Sequence, residues 1–86
     1  MEKKIDPISL GLSARTTVEA IDNRTLAIVI KRKSRIIMAD GRKILANVTK
    51  IKQAKPGKKV MLKTTAPVCS KTLKLLNDKG IEVVRD

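Results

Sequence analysis

The run TLAIVI, Thr25 to Ile30, constrains the fold more than any other stretch of the chain. It holds five consecutive apolar residues, rich in β-branched Ile and Val, and no polar position alternates with them. A strand of that kind is covered on both faces, so it predicts a sheet with a layer packed against it. Turn chemistry brackets it, with DNR before and KRKS after. TTVEAI, Thr16 to Ile21, reads as a strand on one side, and RIIMA, Arg35 to Ala39, as a strand on the other. Together the three predict an antiparallel meander. Met1 to Leu12, with Pro7 and Gly11, reads as irregular.

The next stretch supports two readings. Asp40-Gly41 is a hairpin signal, which would make Ile44 to Ile51 a strand. The apolar positions Ile44, Leu45, Val48 and Ile51 instead share one face of a helix, with Asp40 as N-cap and Pro56-Gly57 as the stop. Their spacing favours the helix. Lys58 to Thr65 predicts a strand with Val60 and Leu62 on one face, followed by a helix from Pro67 to a Gly80 cap and a strand over 81–84. A strand–helix–strand unit this short pairs its strands in parallel. The expected architecture is α/β (α+β): a small two-layer sandwich, a mixed sheet of four to five strands with one or two helices on one face. Residues 1–86 are expected to form a single domain.

Composition removes chemistry. There is no Phe, Tyr, Trp or His, and one cysteine, Cys69. That excludes aromatic stacking, Cys-His and Ser-His dyads, and an intrachain disulfide. Asp6, Glu19, Asp22, Asp78, Glu82 and Asp86 are scattered and suggest neither an acid–base pair nor a metal cage. The chain is therefore expected not to be an enzyme and to hold no metal. No apolar run approaches the roughly 20 residues a membrane span needs, MEKKIDP lacks a signal-peptide core, and a lone cysteine suits a reducing compartment. These features predict a cytoplasmic protein without a membrane partner.

The net charge is +12, and it is uneven: Lys31 to Lys63 holds 12 basic residues against one acid, Asp40. Such a field attracts anions. Lys31, Arg32, Lys33, Arg35, Arg42, Lys43, Lys50, Lys52, Lys55, Lys58 and Lys59 form a candidate surface for anions or for the nucleic-acid backbone. The same charge also fits a solvated surface.

Three resemblances bear on Cys69. VMLKTTAPVCSKTLKLLNDKGIEV is similar in layout to the first strand–loop–helix–strand of glutaredoxins, with Ala66-Pro67-Val68-Cys69 at the Cys-Pro-x-Cys positions. Ala66 stands where the nucleophile would be, so dithiol exchange within one chain is not implied. KIKQAKPGKKVMLKTTAP followed by LLNDKGIEVV resembles the rear half of small sulfur-carrier proteins of the TusA type, without their Cys-Pro-x-Pro motif. In size and in its single cysteine the whole chain resembles the selenium-binding proteins of methanogenic archaea. That resemblance implies a homo-oligomer without a catalytic role, with selenium or sulfur held at Cys69 and no other cofactor.

Two readings of Cys69 follow. In the first it is a thiolate at a helix start, favoured by free N–H groups and the helix dipole. Lys63, Lys71 and Lys74 would lower its pKa, and Thr64, Thr65 and Ser70 would donate to the bound group. In the second it is a packing residue that shares a helix face with Leu73 and Leu76.

Overall fold

The computed structural model describes residues 3–85. The chain runs β1 (Lys3–Ile5), a 3-10 turn (Pro7–Leu10), β2 (Thr17–Ala20), β3 (Thr25–Ile30), α1 (Met38–Ala54), β4 (Lys59–Thr64), α2 (Ser70–Asp78) and β5 (Glu82–Arg85). The five strands form one mixed sheet in the order β1-β2-β3-β4-β5. β1–β2 and β2–β3 are antiparallel, and β3–β4 and β4–β5 are parallel. Both crossovers advance in the same direction, so right-handed connections place α1 and α2 on one face. This is the expected small α+β sandwich.

The core lies between that face and the helices. Val18, Leu26, Ile28, Val60 and Leu62 meet Ile44, Val48 and Ile51 of α1 and Leu76 of α2, with Leu10 and Leu12 closing one side. β3 is covered on both faces, as its composition requires, although helices pack on only one. On the other, Ala27 is fully buried and Val29 nearly so. Val29 lies between Thr17 of β2 and Lys63 of β4, and Ala27 between Glu19 and Met61. The neighbouring side chains, half-buried Met61 and Lys63 among them, shade the small residue.

Three expectations are corrected. RIIMA is not a strand: Ile36 and Ile37 are extended, but only Ile36 pairs, in an isolated parallel bridge to Val68, and α1 begins at Met38. The meander is completed instead by β1, within the stretch read as irregular. The helical reading of 41–54 is right, but Asp40 is not its N-cap. Ile37 holds that position and Asp40 is the third helical residue, its Oδ2 accepting from the Ile37 N–H at 3.0 Å. Ile37 has no acceptor of its own, so this is half a capping box. Gly41 is no hairpin residue either. A Cβ there would lie 2.8 Å from Thr72 Cγ2, so glycine is what lets α1 and α2 approach. At the other end of α2, Gly80 has φ +76°, and the Ile81 N–H reaches back to the Leu76 carbonyl at 2.9 Å, the αL stop the sequence predicts.

Candidate functional site

In open α/β sheets, ligands bind outside the carboxyl ends of the parallel strands. Here β3 and β4 end side by side, at Ile30 and Thr64. The loops that follow are tied together. Ile36 N–H donates to Pro67 O and Cys69 N–H to Ile36 O, each at 2.9 Å. Thr64 Oγ1 donates to Ile30 O at 2.8 Å and accepts from Ala66 N–H at 3.0 Å, while Thr65 Oγ1 reaches Arg32 O at 3.4 Å. Ile36 and Ala66 are fully buried beneath this lacing. The backbone of Cys69 is therefore held from several directions before its side chain does anything.

Cys69 is the N-cap of α2, with extended backbone angles, and is half-buried. An N-cap side chain points back at the unpaired N–H groups of the first turn. The Lys71 N–H, then the Thr72 N–H, favour the thiolate and lower the pKa of Cys69 below the ordinary thiol range; desolvation opposes them, and the Thr72 hydroxyl and the charge of Arg35 make smaller favourable contributions. Thr72 is fully buried, and among the described residues its Oγ1 makes no hydrogen bond of good geometry. It stands close enough to Sγ to favour the ionised form. Its methyl group packs where Gly41 makes room. A hydroxyl buried without a partner is costly, on the order of 1–3 kcal/mol, and a thiolate at Cys69 would give this one an acceptor.

The expected supporting residues fare differently. Thr64 and Thr65 spend their hydroxyls on the loops. Lys63 alternates with the inward-facing Val60, Leu62 and Thr64, which places it on the sheet face opposite the helices. Lys71 contributes its backbone N–H, and neither its amine nor that of Lys74 is among the leading influences on the thiol. Ser70 is exposed at the first position of α2. Arg35, read from sequence as part of the basic block, is the cation that acts on Cys69. Thr72 was not singled out at all, though its place three residues after the cysteine is the third helical position of an N-capped turn. The packing alternative is also revised. The buried face of α2 is Thr72 and Leu76, whereas Leu73 is 37% exposed and Cys69 half-buried.

The basic block does not form one surface. α1 has 17 residues and so separates its ends by about 25 Å. Lys31, Lys33, Arg35, Arg42 and Lys43 lie toward its start, Lys50 and Lys52 are exposed along it, and Lys55, Lys58 and Lys59 lie beyond its far end. Arg32 is committed. Its guanidinium pairs with Asp40 at 2.6 Å and donates to the Ser34 and Arg35 carbonyls. Lys58 donates to the Asn23 carbonyl, and Lys59 pairs with Glu82 at 3.4 Å.

Among the described residues no helix is long and apolar enough to cross a membrane. In comparisons with protein-family models, with curated proteins and with solved structures, none matches this chain.

Proposed function

We propose that this protein is a carrier that holds sulfur or selenium covalently on Cys69. The observation that carries the reading is the pairing of a half-buried thiol at a helix start with a buried hydroxyl, Thr72 Oγ1, that has no other partner. A thiolate is the nucleophile in chalcogen exchange, and this one is stabilised without a histidine or second cysteine. Loading needs no net oxidation. The Cys69 thiolate attacks the outer sulfur of a donor R–S–SH, the donor S–S bond breaks, and R–S⁻ leaves, giving Cys69–S–SH. With a selenotrisulfide R–S–Se–S–R, attack at selenium releases R–S⁻ and leaves Cys69–S–Se–S–R. The bound group would extend beyond Sγ toward the loop that carries Arg35, whose charge favours an anionic product.

Intact-mass measurement after incubation with a small persulfide donor or a selenotrisulfide tests the reading. Wild type is expected to gain one adduct, Cys69→Ser none. Since any exposed thiol reacts eventually, the rate decides. Folded protein at neutral pH is expected to load several-fold faster than the same chain unfolded in denaturant, reflecting its larger thiolate fraction. A folded protein that loads no faster than the unfolded chain refutes the proposal.

A further inference from the structure

A second concave site lies on the far side of the β3–α1 loop, and nothing about Cys69 accounts for it. β2 starts at Thr17, opposite Val29, so Ile30 and Lys31 have no strand neighbour on that side. The gap opens into a cleft of about 790 Å³ between residues 15–17, the end of β3 and the first turns of α1. That volume falls within the ~300–1,000 Å³ of small-molecule sites.

Its charges do not balance. Asp40 is neutralised by Arg32 at 2.6 Å, and Glu19 stands opposite Lys4 in the β1–β2 register. Arg15, Lys31 and Lys43 remain, all exposed and lining the cleft, with no ion pair to an acid among the described residues. Three cations converging on a concave surface focus a positive field, and an arginine fork suits phosphate oxygens. Between them the floor is aliphatic. We propose that this cleft binds a small phosphorylated organic molecule, its phosphate between Arg15, Lys31 and Lys43 and its apolar part against half-buried Ile30.

A polymer fits less well. Single-stranded nucleic acid is gripped by stacking on aromatic side chains, and the chain has none. Duplex recognition needs phosphate contacts spread along a face, whereas the block is divided between the start of α1, its length and the segment beyond its far end.

Calorimetric titration of the full chain at about 0.15 M salt tests the site, with adenosine triphosphate, inorganic pyrophosphate and a short single-stranded oligonucleotide as probes. The nucleotide is expected to bind one to one and more tightly than pyrophosphate, because only it uses the aliphatic floor. The double variant Arg15→Ala/Lys43→Ala is expected to weaken nucleotide binding at least tenfold, roughly 1.4 kcal/mol. Lys50→Ala/Lys52→Ala removes the same charge outside the cleft and is expected to leave it unchanged. Equal losses in the two double variants would reduce the effect to net charge and overturn the proposal. So would binding of the oligonucleotide but not the nucleotide, or binding of no probe at all. Circular dichroism establishes that both variants are folded.

Discussion

The starts of α1 and α2 are built from the same parts and finished differently. Each follows the carboxyl end of a parallel strand, and their approach loops are joined through Ile36 and Val68. Each has an N-cap residue without a side-chain oxygen, Ile37 in one and Cys69 in the other. At α1 the unpaired N–H of Ile37 is met by a resident anion, the Asp40 carboxylate, which Arg32 holds in place. At α2 the cap residue is a thiol whose side chain makes no capping hydrogen bond, the Lys71 and Thr72 N–H groups favour its ionised form, and the buried Thr72 hydroxyl has no partner among the described residues. A permanent carboxylate closes the first helix start. On the function proposed above, the second is completed when Cys69 carries negative charge, so the same local electrostatics would yield a structural joint in one place and a reactive group in the other.

The two starts meet at Gly41 and Thr72, and the largest effect is expected there. Gly41→Val would place side-chain atoms where Thr72 Cγ2 already sits, 2.8 Å from an ideal Cβ. Overpacking of that kind costs about 1–3 kcal/mol. Thr72 can relieve it by turning about χ1, which would carry Oγ1 away from Sγ. The variant is expected to lower the denaturant midpoint and slow alkylation of Cys69 together. Unfolding and thiol-labelling measurements on one sample check this; a stability loss with unchanged labelling would show that Gly41 only spaces the helices.

Thr72→Val separates stability from reactivity. It keeps the shape and the methyl contact with Gly41 but removes a hydroxyl buried without a partner. Removing such a group is expected to stabilise the fold by about 1 kcal/mol. It also withdraws one of the influences that favour the thiolate, so the pH profile of Cys69 labelling is expected to move upward. A variant more stable and less reactive is the signature of a site maintained at a cost to the fold. A fall in stability would mean that the hydroxyl is satisfied in solution and is not held for Cys69.

What could be read from the sequence was local. TLAIVI became β3 with the bounds expected, and the Ile44/Val48/Ile51 spacing became the buried face of α1. What could not be read was set by partners distant in sequence. β1 is three residues long and is a strand only because Lys3 to Ile5 pairs with Val18 to Ala20. The β-branched residues of RIIMA favour extension, yet only Ile36 bridges another segment, because the tie to Pro67 and Cys69 uses both its backbone groups and the chain turns into α1 after the extended cap residue Ile37. Asp40 was one turn out of place, since an acid that caps from the third helical position looks in sequence like one that caps from before the helix. Cys69 could be placed at a helix start; its neighbours Arg35 and Thr72 could not, because one comes from another loop and the other looks like an ordinary helical threonine.

The smallest expected effect tests the closed start. The Asp40 carboxyl is held below the usual carboxylate range, first by its hydrogen bond to the Arg32 side chain and then by the Ile37 N–H. Asp40→Asn keeps the size and removes the charge, so it is expected to cost about 0.5–1 kcal/mol at neutral pH, as for other helix-start residues on a partly exposed surface. The sign of the pH dependence follows. A depressed carboxyl stabilises the fold above its unfolded value, near pH 4, and loses that contribution as pH falls through the lower folded value. The gap between wild type and Asp40→Asn is therefore expected to close as pH falls below the unfolded value and through the lower folded one. The gap between wild type and Cys69→Ser belongs to a thiol, also depressed, and so opens as pH rises through the folded value toward the ordinary thiol range. Unfolding midpoints across pH resolve the two. An Asp40→Asn gap that persisted in acid would show that the residue acts through shape or through a neutral hydrogen bond, and the contrast between a charge-closed and a charge-dependent helix start would fail.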